Sequence, residues 1–158
     1  MNSYSGGITM SLLQYTEEHK IFRKTVQQFI DKEIRPNVEK WEEDGKTPKE
    51  LWKKCGDLGL LGINYPEAVG GLACDYTYTA ILFEELGGCG ASGTALGISV
   101  QTDMATPALV EHGSDYLKEK YLIPAIKGDA IAAIAVTEPG FGSNVAGIKT
   151  KAVLDGDH

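Results

Sequence analysis

The 158-residue chain contains 15 Lys and Arg residues against 22 Asp and Glu residues, which gives a formal net charge of −7 at pH 7. This acidic balance, without any basic run, argues against a nucleic-acid partner, because binding to phosphates requires clustered Lys and Arg. Hydrophobic residues make up 42% of the chain, which is enough for a packed core. No apolar stretch approaches the ~20 residues of a membrane helix. The length fits one domain, or one domain and the beginning of another.

The N-terminal residues carry no targeting pattern. Residues 1–10 lack the cationic flank and apolar run of a secretory signal, and they also lack the Arg-rich amphipathic pattern of a transit peptide. We therefore expect a cytoplasmic protein if the source is bacterial, or a processed mitochondrial-matrix protein if it is eukaryotic. Residues 1–15 are expected to be a disordered leader or a remnant of cloning.

Cysteine and histidine spacing predicts no disulfide and no metal site. Cys55, Cys74 and Cys89 are odd in number and far apart in sequence, which fits neither a disulfide framework nor a CxxC pair. We expect reduced, mostly buried thiols. The three histidines, His19, His112 and His158, also lack the spacing of metal ligands.

The first half of the chain has a helical period. Thr16 is placed to cap a helix that Pro36 should end after Arg35, and a short further turn should end at Gly45. Thr47, followed by Pro48 and Glu50, has the pattern of a capping box and predicts a helix from 48 to about 58.

The pattern continues to residue 128. Residues 60–71 read as a loop over the surface of a helical bundle, because they are rich in glycine and proline and show no period. Asp75 should cap the next helix, with Ala80, Phe83 and Leu86 facing inward. Further helices are expected at 75–86, 92–100, 108–112 and 115–122, the second of them buried on most sides, with Pro107 interrupting the path and Pro124 ending it.

After Gly128 the period changes to that of strands. Residues 130–137 form a continuous apolar run of strand length, and residues 148–154 alternate before the turn pair 155–156. Two strands alone are marginal at best. The predicted fold is therefore mainly α: an N-terminal helical domain over 16–128, followed over 129–158 by the first strands of an incomplete β-domain.

Three patterns suggest chemistry but have simpler interpretations. Residues 88–93 match GxGxxG, yet they follow a helix rather than a strand, which favours a helix-to-helix connection over a phosphate loop. Glu84 and Glu85 point about 100° apart on a helix and favour a solvated face. Glu138 is a candidate general base by residue type alone.

Residues 133–152 are the strongest candidate site. A strand leads into a turn rich in backbone donors, with the hydroxyls of Thr137 and Ser143 six residues apart. Gly140 and Gly142 permit close approach of the backbone to a flat polar cofactor edge or a phosphate. The pattern alone favours an ordinary glycine-rich connection.

The same segment closely resembles the flavin-contacting signature of the acyl-CoA dehydrogenase family, A-x-T-E-P-x-x-G-S-D followed by a T-x-A strand. The matching positions are Ala135, Thr137, Glu138, Pro139, Gly142, Ser143, Thr150 and Ala152. Upstream motifs fall in the family's order: residues 33–36, 59–63, 66–67, 70–71, 84–86, 113 and 120–124. The likeness covers residues 16–157. Asn144 departs from it, since the family usually has Asp there, and a contact that depends on that charge is in doubt.

The resemblance implies where an FAD cofactor and an acyl-CoA substrate would bind. The isoalloxazine edge of FAD would be bound by Ala135, Val136 and Thr137, with the Thr137 hydroxyl as the main contact, and by Gly142 and Ser143. Ser143 would also lie near the pantetheine or phosphates of the acyl-CoA. Leu96, Val100 and Met104, spaced four residues apart on one helix face, would line the acyl-chain pocket, although plain core packing explains that spacing equally well.

The resemblance also implies a reaction and partners. Members of the family catalyse α,β-dehydrogenation of acyl-CoA thioesters in fatty-acid or branched-chain amino-acid catabolism. A carboxylate removes the α-proton, FAD takes the β-hydride, and electrons pass to an electron-transferring flavoprotein. The base is a Glu of a C-terminal helical domain, which would lie beyond this chain, as would a second flavin-contacting segment. We therefore expect these 158 residues alone to be inactive, with at most weak affinity for FAD.

The resemblance also bears on assembly, and it leaves two other functions open. The family usually forms homodimers or homotetramers through the C-terminal helices, and an unfinished sheet edge after Asp155 would favour association of this piece. Acyl-CoA oxidases and flavin monooxygenases share the scaffold but transfer electrons to oxygen. The non-enzymatic alternative is a helical module that binds a partner and has no catalytic activity.

Overall fold

The computed structural model describes residues 15–156, and most of this part of the chain is helical. The α-helices are α1 (Glu17–Phe29), α2 (Val38–Asp44), α3 (Glu50–Asp57), α4 (Tyr76–Gly87), α5 (Ser92–Ser99), α6 (Pro107–His112), α7 (Asp115–Leu117) and α8 (Ile123–Ile126). Wider π turns lie at Ile30–Ile34, Val100–Ala105 and Lys118–Leu122, and 3-10 turns at Arg35–Asn37, Glu67–Val69 and Val145–Gly147. None of the helices between residues 15 and 156 has the length and apolarity needed to cross a bilayer.

The predicted helix caps at Thr16 and Asp75 are confirmed. The Thr16 hydroxyl accepts the backbone N–H of His19, whose Nδ1 accepts the N–H of Thr16, so each residue satisfies a donor at the start of α1. The Asp75 carboxylate accepts the N–H of Thr77 at 2.7 Å. The predicted helix end at Gly45 is also confirmed, and the helix predicted over 108–112 ends at His112 as expected.

The predicted stops at Pro36 and Pro124 are wrong, whereas the predicted interruption at Pro107 is confirmed. At Pro36 the chain changes from a π turn to a 3-10 turn and continues into α2, so the missing N–H of proline falls where the regular helical bond is already broken. Thr106 forms a bend after the π turn Val100–Ala105, and Pro107 begins α6. Pro124 lies in the first turn of α8, and the helical path continues past it. First-turn N–H groups have no partner within a helix, so proline costs little there.

Thr47 does not cap a helix as predicted. α3 begins at Glu50, without a side-chain cap, and the Thr47 hydroxyl instead lies 2.7 Å from the hydroxyl of Thr94 on α5. A tertiary hydrogen bond has therefore replaced the local one.

The main core lies between α1 and α4 and includes residues from α3 and α5. Its fully buried side chains include Val26, Ile30, Cys55, Leu82 and Ile98.

All three cysteines are free thiols, as predicted. Burial raises the pKa of the Cys55 thiol to about 12, so this cysteine behaves as a small apolar residue.

The loop at 60–71 was expected on the surface, yet much of it is buried. Leu60, Leu61, Ile63 and Tyr65 are each at most 5% exposed. Burial of a loop requires partners for its backbone, and residues 72–74 supply them by donating to the carbonyl oxygens of residues 62, 65 and 63. This backbone pairing is not visible in side-chain periodicity.

Two expectations about helix faces also need correction. On α4, Leu86 is buried as predicted, but Ile81 and Leu82 are the other core residues, whereas Ala80 and Phe83 are only half-buried. α5 is not buried on most sides, because Leu96 is 62% exposed while Ile98 is buried.

The strands predicted at 130–137 and 148–154 do not form in the part of the chain that the structure describes. Both segments are largely exposed and lack regular secondary structure, and the one ladder contact among the described residues is an antiparallel bridge between Glu138 and Phe141. A strand needs a hydrogen-bonded neighbour, and none of the described residues offers one. The mainly helical fold is confirmed, while the β-domain assigned to 129–158 stays a prediction.

Candidate cofactor-binding segment

Helix α3 fixes the point at which the chain leaves the helical domain. Gly128 has a φ of +71°, and a Cβ at this position would lie 2.0 Å from the carbonyl oxygen of Trp52. Only glycine fits both the conformation and the close approach. The Lys53 ammonium donates to the carbonyl oxygen of Lys127 at 3.2 Å and pairs with Asp129 at 3.1 Å. Asp129, with Asp57, raises the pKa of Lys53.

A buried amide fixes the next residues. Gln101, on the π turn Val100–Ala105, donates from Nε2 to the carbonyl oxygens of Ala125 at 2.9 Å and Ala130 at 3.5 Å. Its Oε1 accepts the N–H of Ala132 at 3.3 Å. No local pattern in the sequence marks Gln101 or Lys53 as anchors, because glutamine and lysine are usually exposed.

The residues predicted to contact the cofactor edge present free backbone groups. Ala135, Val136 and Thr137 are exposed and belong to no helix or strand. Within residues 15–156, no protein group forms a hydrogen bond with the backbone of 133–137 or with the Thr137 hydroxyl. This short stretch therefore offers several donors and acceptors side by side to a planar polar ligand.

Glu138 closes the turn that follows and is not a free base. Its backbone exchanges hydrogen bonds with Phe141 at 2.9 and 3.1 Å. Its carboxylate accepts the N–H groups of Lys149 at 2.9 Å and Thr150 at 2.7 Å, together with the Thr150 hydroxyl. The Thr150 hydroxyl and then these two N–H groups lower the pKa of Glu138. Glu138 therefore joins the two halves of the T-E-P…T-x-A signature.

Gly142, Ser143 and Asn144 lie on the exposed outer side of this loop. The carbonyl oxygen of Asn144 accepts the N–H of Gly147 at 3.0 Å, which starts the 3-10 turn Val145–Gly147. A Cβ on Gly147 would lie 2.3 Å from the ring of Phe141. The loop is thus folded on itself, and the Asn144 side chain has no charged partner among residues 15–156.

The three residues predicted to line an acyl pocket lie where the helix changes type. α5 passes into a π turn at Val100, which changes the angular spacing between Leu96, Val100 and Met104. Leu96 and Met104 are 62% and 52% exposed, and Val100 is half-buried. Leu96 borders a groove of about 480 Å³ between α4 and α5, together with Phe83, Leu86, Ala91, Ala95 and Ser99.

The remaining candidates have structural roles. Residues 88–93 connect α4 to α5, as the simpler interpretation predicted. Glu84 and Glu85 are not merely a solvated face, because Arg23 of α1 pairs with both at 2.5 Å. Arg23, followed by the Tyr15 hydroxyl, lowers the pKa of Glu84.

No group of His, Cys, Asp and Glu within 15–156 is arranged to hold a metal ion. His112 is exposed at the end of α6, and His158 lies outside the described residues.

Comparison with known proteins identifies the family. The acyl-CoA dehydrogenase N-terminal domain matches residues 16–129. The chain is 38% identical over 142 residues to the long-chain specific acyl-CoA dehydrogenase of Rattus norvegicus mitochondria, an alignment that covers 90% of this chain and 33% of the relative.

Two solved structures have the same fold. An acyl-CoA dehydrogenase from Geobacillus kaustophilus matches with a TM-score of 0.83 and 40% identity, over 90% of this chain and 37% of the other. An acyl-CoA dehydrogenase complexed with FAD, from Bacillus anthracis, matches with a TM-score of 0.75 and 33% identity, over 86% and 23%. The chain belongs to the acyl-CoA dehydrogenase family and spans about a third of the length of the curated relatives it matches.

Proposed function

We propose that this chain is the N-terminal part of an FAD-dependent acyl-CoA dehydrogenase that introduces an α,β double bond into an acyl-CoA thioester. The observation that carries the proposal is the row of unpaired backbone groups at Ala135, Val136 and Thr137, which follows an anchored exit from the helical domain and precedes a turn closed by Glu138. Membership of the family supports the same conclusion.

The exposed segment suits the edge of an isoalloxazine ring. That edge alternates hydrogen-bond acceptors and a donor, and the unpaired backbone groups of 135–137 with the Thr137 hydroxyl supply both donors and acceptors. Gly142 and Ser143 would complete the cofactor contacts. When bound, FAD accepts the hydride from the β-carbon of the thioester. The protein's role is to orient the ring and the substrate.

The acyl-CoA is proposed to contact residues of both the candidate segment and the helical domain. We propose that Ser143 hydrogen-bonds the pantetheine or phosphates, and that Leu96, Val100 and Met104 contact the acyl chain. Two of these apolar side chains are more than half exposed, so they are accessible to a ligand. The groove beside Leu96 is lined by small and apolar residues that suit a hydrocarbon chain.

The proton-abstracting base is proposed to lie outside these 158 residues. Glu138 is the carboxylate within the candidate segment, and three hydrogen bonds already engage it. A base must reach the α-proton directly or through one water molecule, which Glu138 could do only by releasing residues 149–150. We therefore expect no turnover by this piece alone. For the whole protein we propose an electron-transferring flavoprotein as electron acceptor and a homo-oligomeric assembly.

The test uses the full-length protein that carries this chain. Wild type should purify yellow with bound FAD, and an acyl-CoA should bleach the flavin absorbance under anaerobic conditions. Thr137→Val removes the hydroxyl at nearly constant volume and should weaken FAD binding about tenfold, the effect of losing one well-placed hydrogen bond.

Thr25→Val is the matched control, since Thr25 is on α1 and its hydroxyl bonds only to the carbonyl oxygen of Ile21. It should bind FAD as wild type does. A full-length protein that stays colourless when supplied with FAD would overturn the proposal. Rapid peroxide formation would indicate an oxidase instead.

A further inference from the structure

Gln101 is a buried polar residue that the proposed reaction does not use directly. It is 1% exposed, and all of its side-chain hydrogen bonds go to backbone groups, one in α8 at Ala125 and two in the chain that follows, at Ala130 and Ala132. Burying an amide is costly unless its donors and acceptor are satisfied, and here Ala125, Ala130 and Ala132 satisfy both ends. The pattern joins one helix to one outgoing segment.

The chemistry of an amide is required at this position. The Gln101 side chain donates to two carbonyl oxygens and accepts one N–H, and among neutral side chains only an amide offers a donor and an acceptor on adjacent atoms. Methionine would fill the same volume with no such bonds. Glutamate would place a second acceptor against the carbonyl oxygens of Ala125 and Ala130.

The π turn that carries Gln101 is itself held by buried hydrogen bonds. The Thr106 hydroxyl donates to the carbonyl oxygen of Gln101 at 2.6 Å, and the Tyr65 hydroxyl lies 2.8 Å from that of Thr106. Thr106 is 1% exposed and Tyr65 5%. These contacts close the π turn Val100–Ala105 and fix the direction from which the amide reaches the outgoing chain.

A small change at this anchor would be amplified along the segment. Ala132 lies five residues before Thr137, at most roughly 17 Å away for a fully extended chain. A tilt of about 10° at Ala132 would move Thr137 by up to about 3 Å, which is far more than a hydrogen-bonding site tolerates. None of residues 133–137 has another hydrogen bond within the described chain that would correct such a tilt.

We propose that Gln101 is a positioning residue that sets the orientation of the cofactor-binding segment by hydrogen-bonding the backbone of Ala125, Ala130 and Ala132. This inference rests on the proposed function for its consequence, which is FAD binding, but the anchoring itself can be measured without a cofactor.

The first measurement is amide hydrogen exchange of the 158-residue chain. Gln101→Met should raise the exchange rate of the Ala132 N–H at least about tenfold while helix α4 exchanges as in wild type. Thr94→Val is the matched control, since Thr94 is a buried polar residue on the same helical path but bonds only to Thr47. It should leave the Ala132 N–H unchanged. Unchanged exchange in Gln101→Met would overturn the inference.

The second measurement is FAD affinity of the full-length protein. Gln101→Met and Gln101→Glu should each raise the dissociation constant at least about tenfold, with helical circular dichroism retained. If Gln101 only filled space, the Gln101→Met variant would bind FAD as tightly as wild type, because the side-chain volume is conserved. That result would also overturn the inference. If wild type itself takes up no FAD, the proposed function fails, and the exchange experiment still decides whether Gln101 anchors the segment.

Discussion

The helical domain and the segment after residue 130 contain similar proportions of apolar side chains. The helical domain buries many of them, whereas the segment leaves them exposed. Leu82 on α4 is 1% exposed, whereas Leu154 in the extended tail is 84% exposed. A helix satisfies its backbone within itself and needs only an apolar neighbour for one face. A strand needs a partner for its backbone as well, so the second region keeps its apolar side chains exposed within the described chain.

The two regions also differ in what holds them in place. The helical domain is stabilised by packing and by close backbone contacts such as that between Gly128 and Trp52. The candidate segment is fixed at two points by polar side chains, Gln101 at its base and Glu138 at its turn. Ordering of the segment by hydrogen bonds leaves its middle accessible to a ligand.

The largest effect is expected at the junction between the two regions. Gly128→Ala should lower the free energy of unfolding by about 4 kcal/mol or more, because it combines a positive φ with a clash against backbone. Urea unfolding checks this. Gly140→Ala is the control, since a Cβ there meets nothing within 4 Å, and it should change stability by less than about 0.5 kcal/mol. Equal effects at both positions would contradict the close contact.

A matched pair of leucines compares burial in the two regions directly. Leu82→Ala should lower the free energy of unfolding by about 3 kcal/mol, because it leaves a cavity in the core. Leu154→Ala should cost less than about 0.5 kcal/mol in the same 158-residue chain. The same urea experiment measures both. A large cost for Leu154→Ala would mean that the tail is covered in solution.

The smallest effect is local and depends on pH. Hydrogen bonds from Thr150 and from the N–H groups of Lys149 and Thr150 lower the pKa of Glu138. A lowered pKa means that the carboxylate stabilises the loop above the ordinary pKa of glutamate, and that this contribution is lost as the pH falls through the lowered value. NMR shifts of the amides of Lys149 and Thr150 should therefore titrate below the ordinary glutamate range.

Glu138→Gln is the control for this titration, and its amide shifts should stay flat over the same pH range. A midpoint above the ordinary range in wild type would contradict the three hydrogen bonds to the carboxylate.

Local signals in the sequence were reliable where the partner is only a few residues away. The caps at Thr16 and Asp75 and the end at Gly45 form as predicted, because their hydrogen bonds close within one helical turn. Pro36 and Pro124 were misjudged, because a π or 3-10 turn changes which N–H is needed. Thr47 was misjudged because its partner, Thr94, is 47 residues away.

The signature at 135–152 was readable from sequence because it is contiguous, although the roles proposed for its individual residues remain predictions. The geometry behind it was not readable. Gln101 reaches Ala132 from 31 residues away, and Glu138 reaches Thr150 across 12. The periodic spacing of residues indicates which face of its own helix a side chain occupies. It does not indicate which distant backbone groups that side chain will contact.

The sequence by itself determined the helical class, the positions of most helices and the family, because these depend on local hydrogen bonding and on the order of residues along the chain. Only the tertiary structure decided which loop is buried, which polar side chains hold the outgoing segment and that the predicted strands have no partner among residues 15–156. Each of these depends on contacts between residues that are distant in sequence.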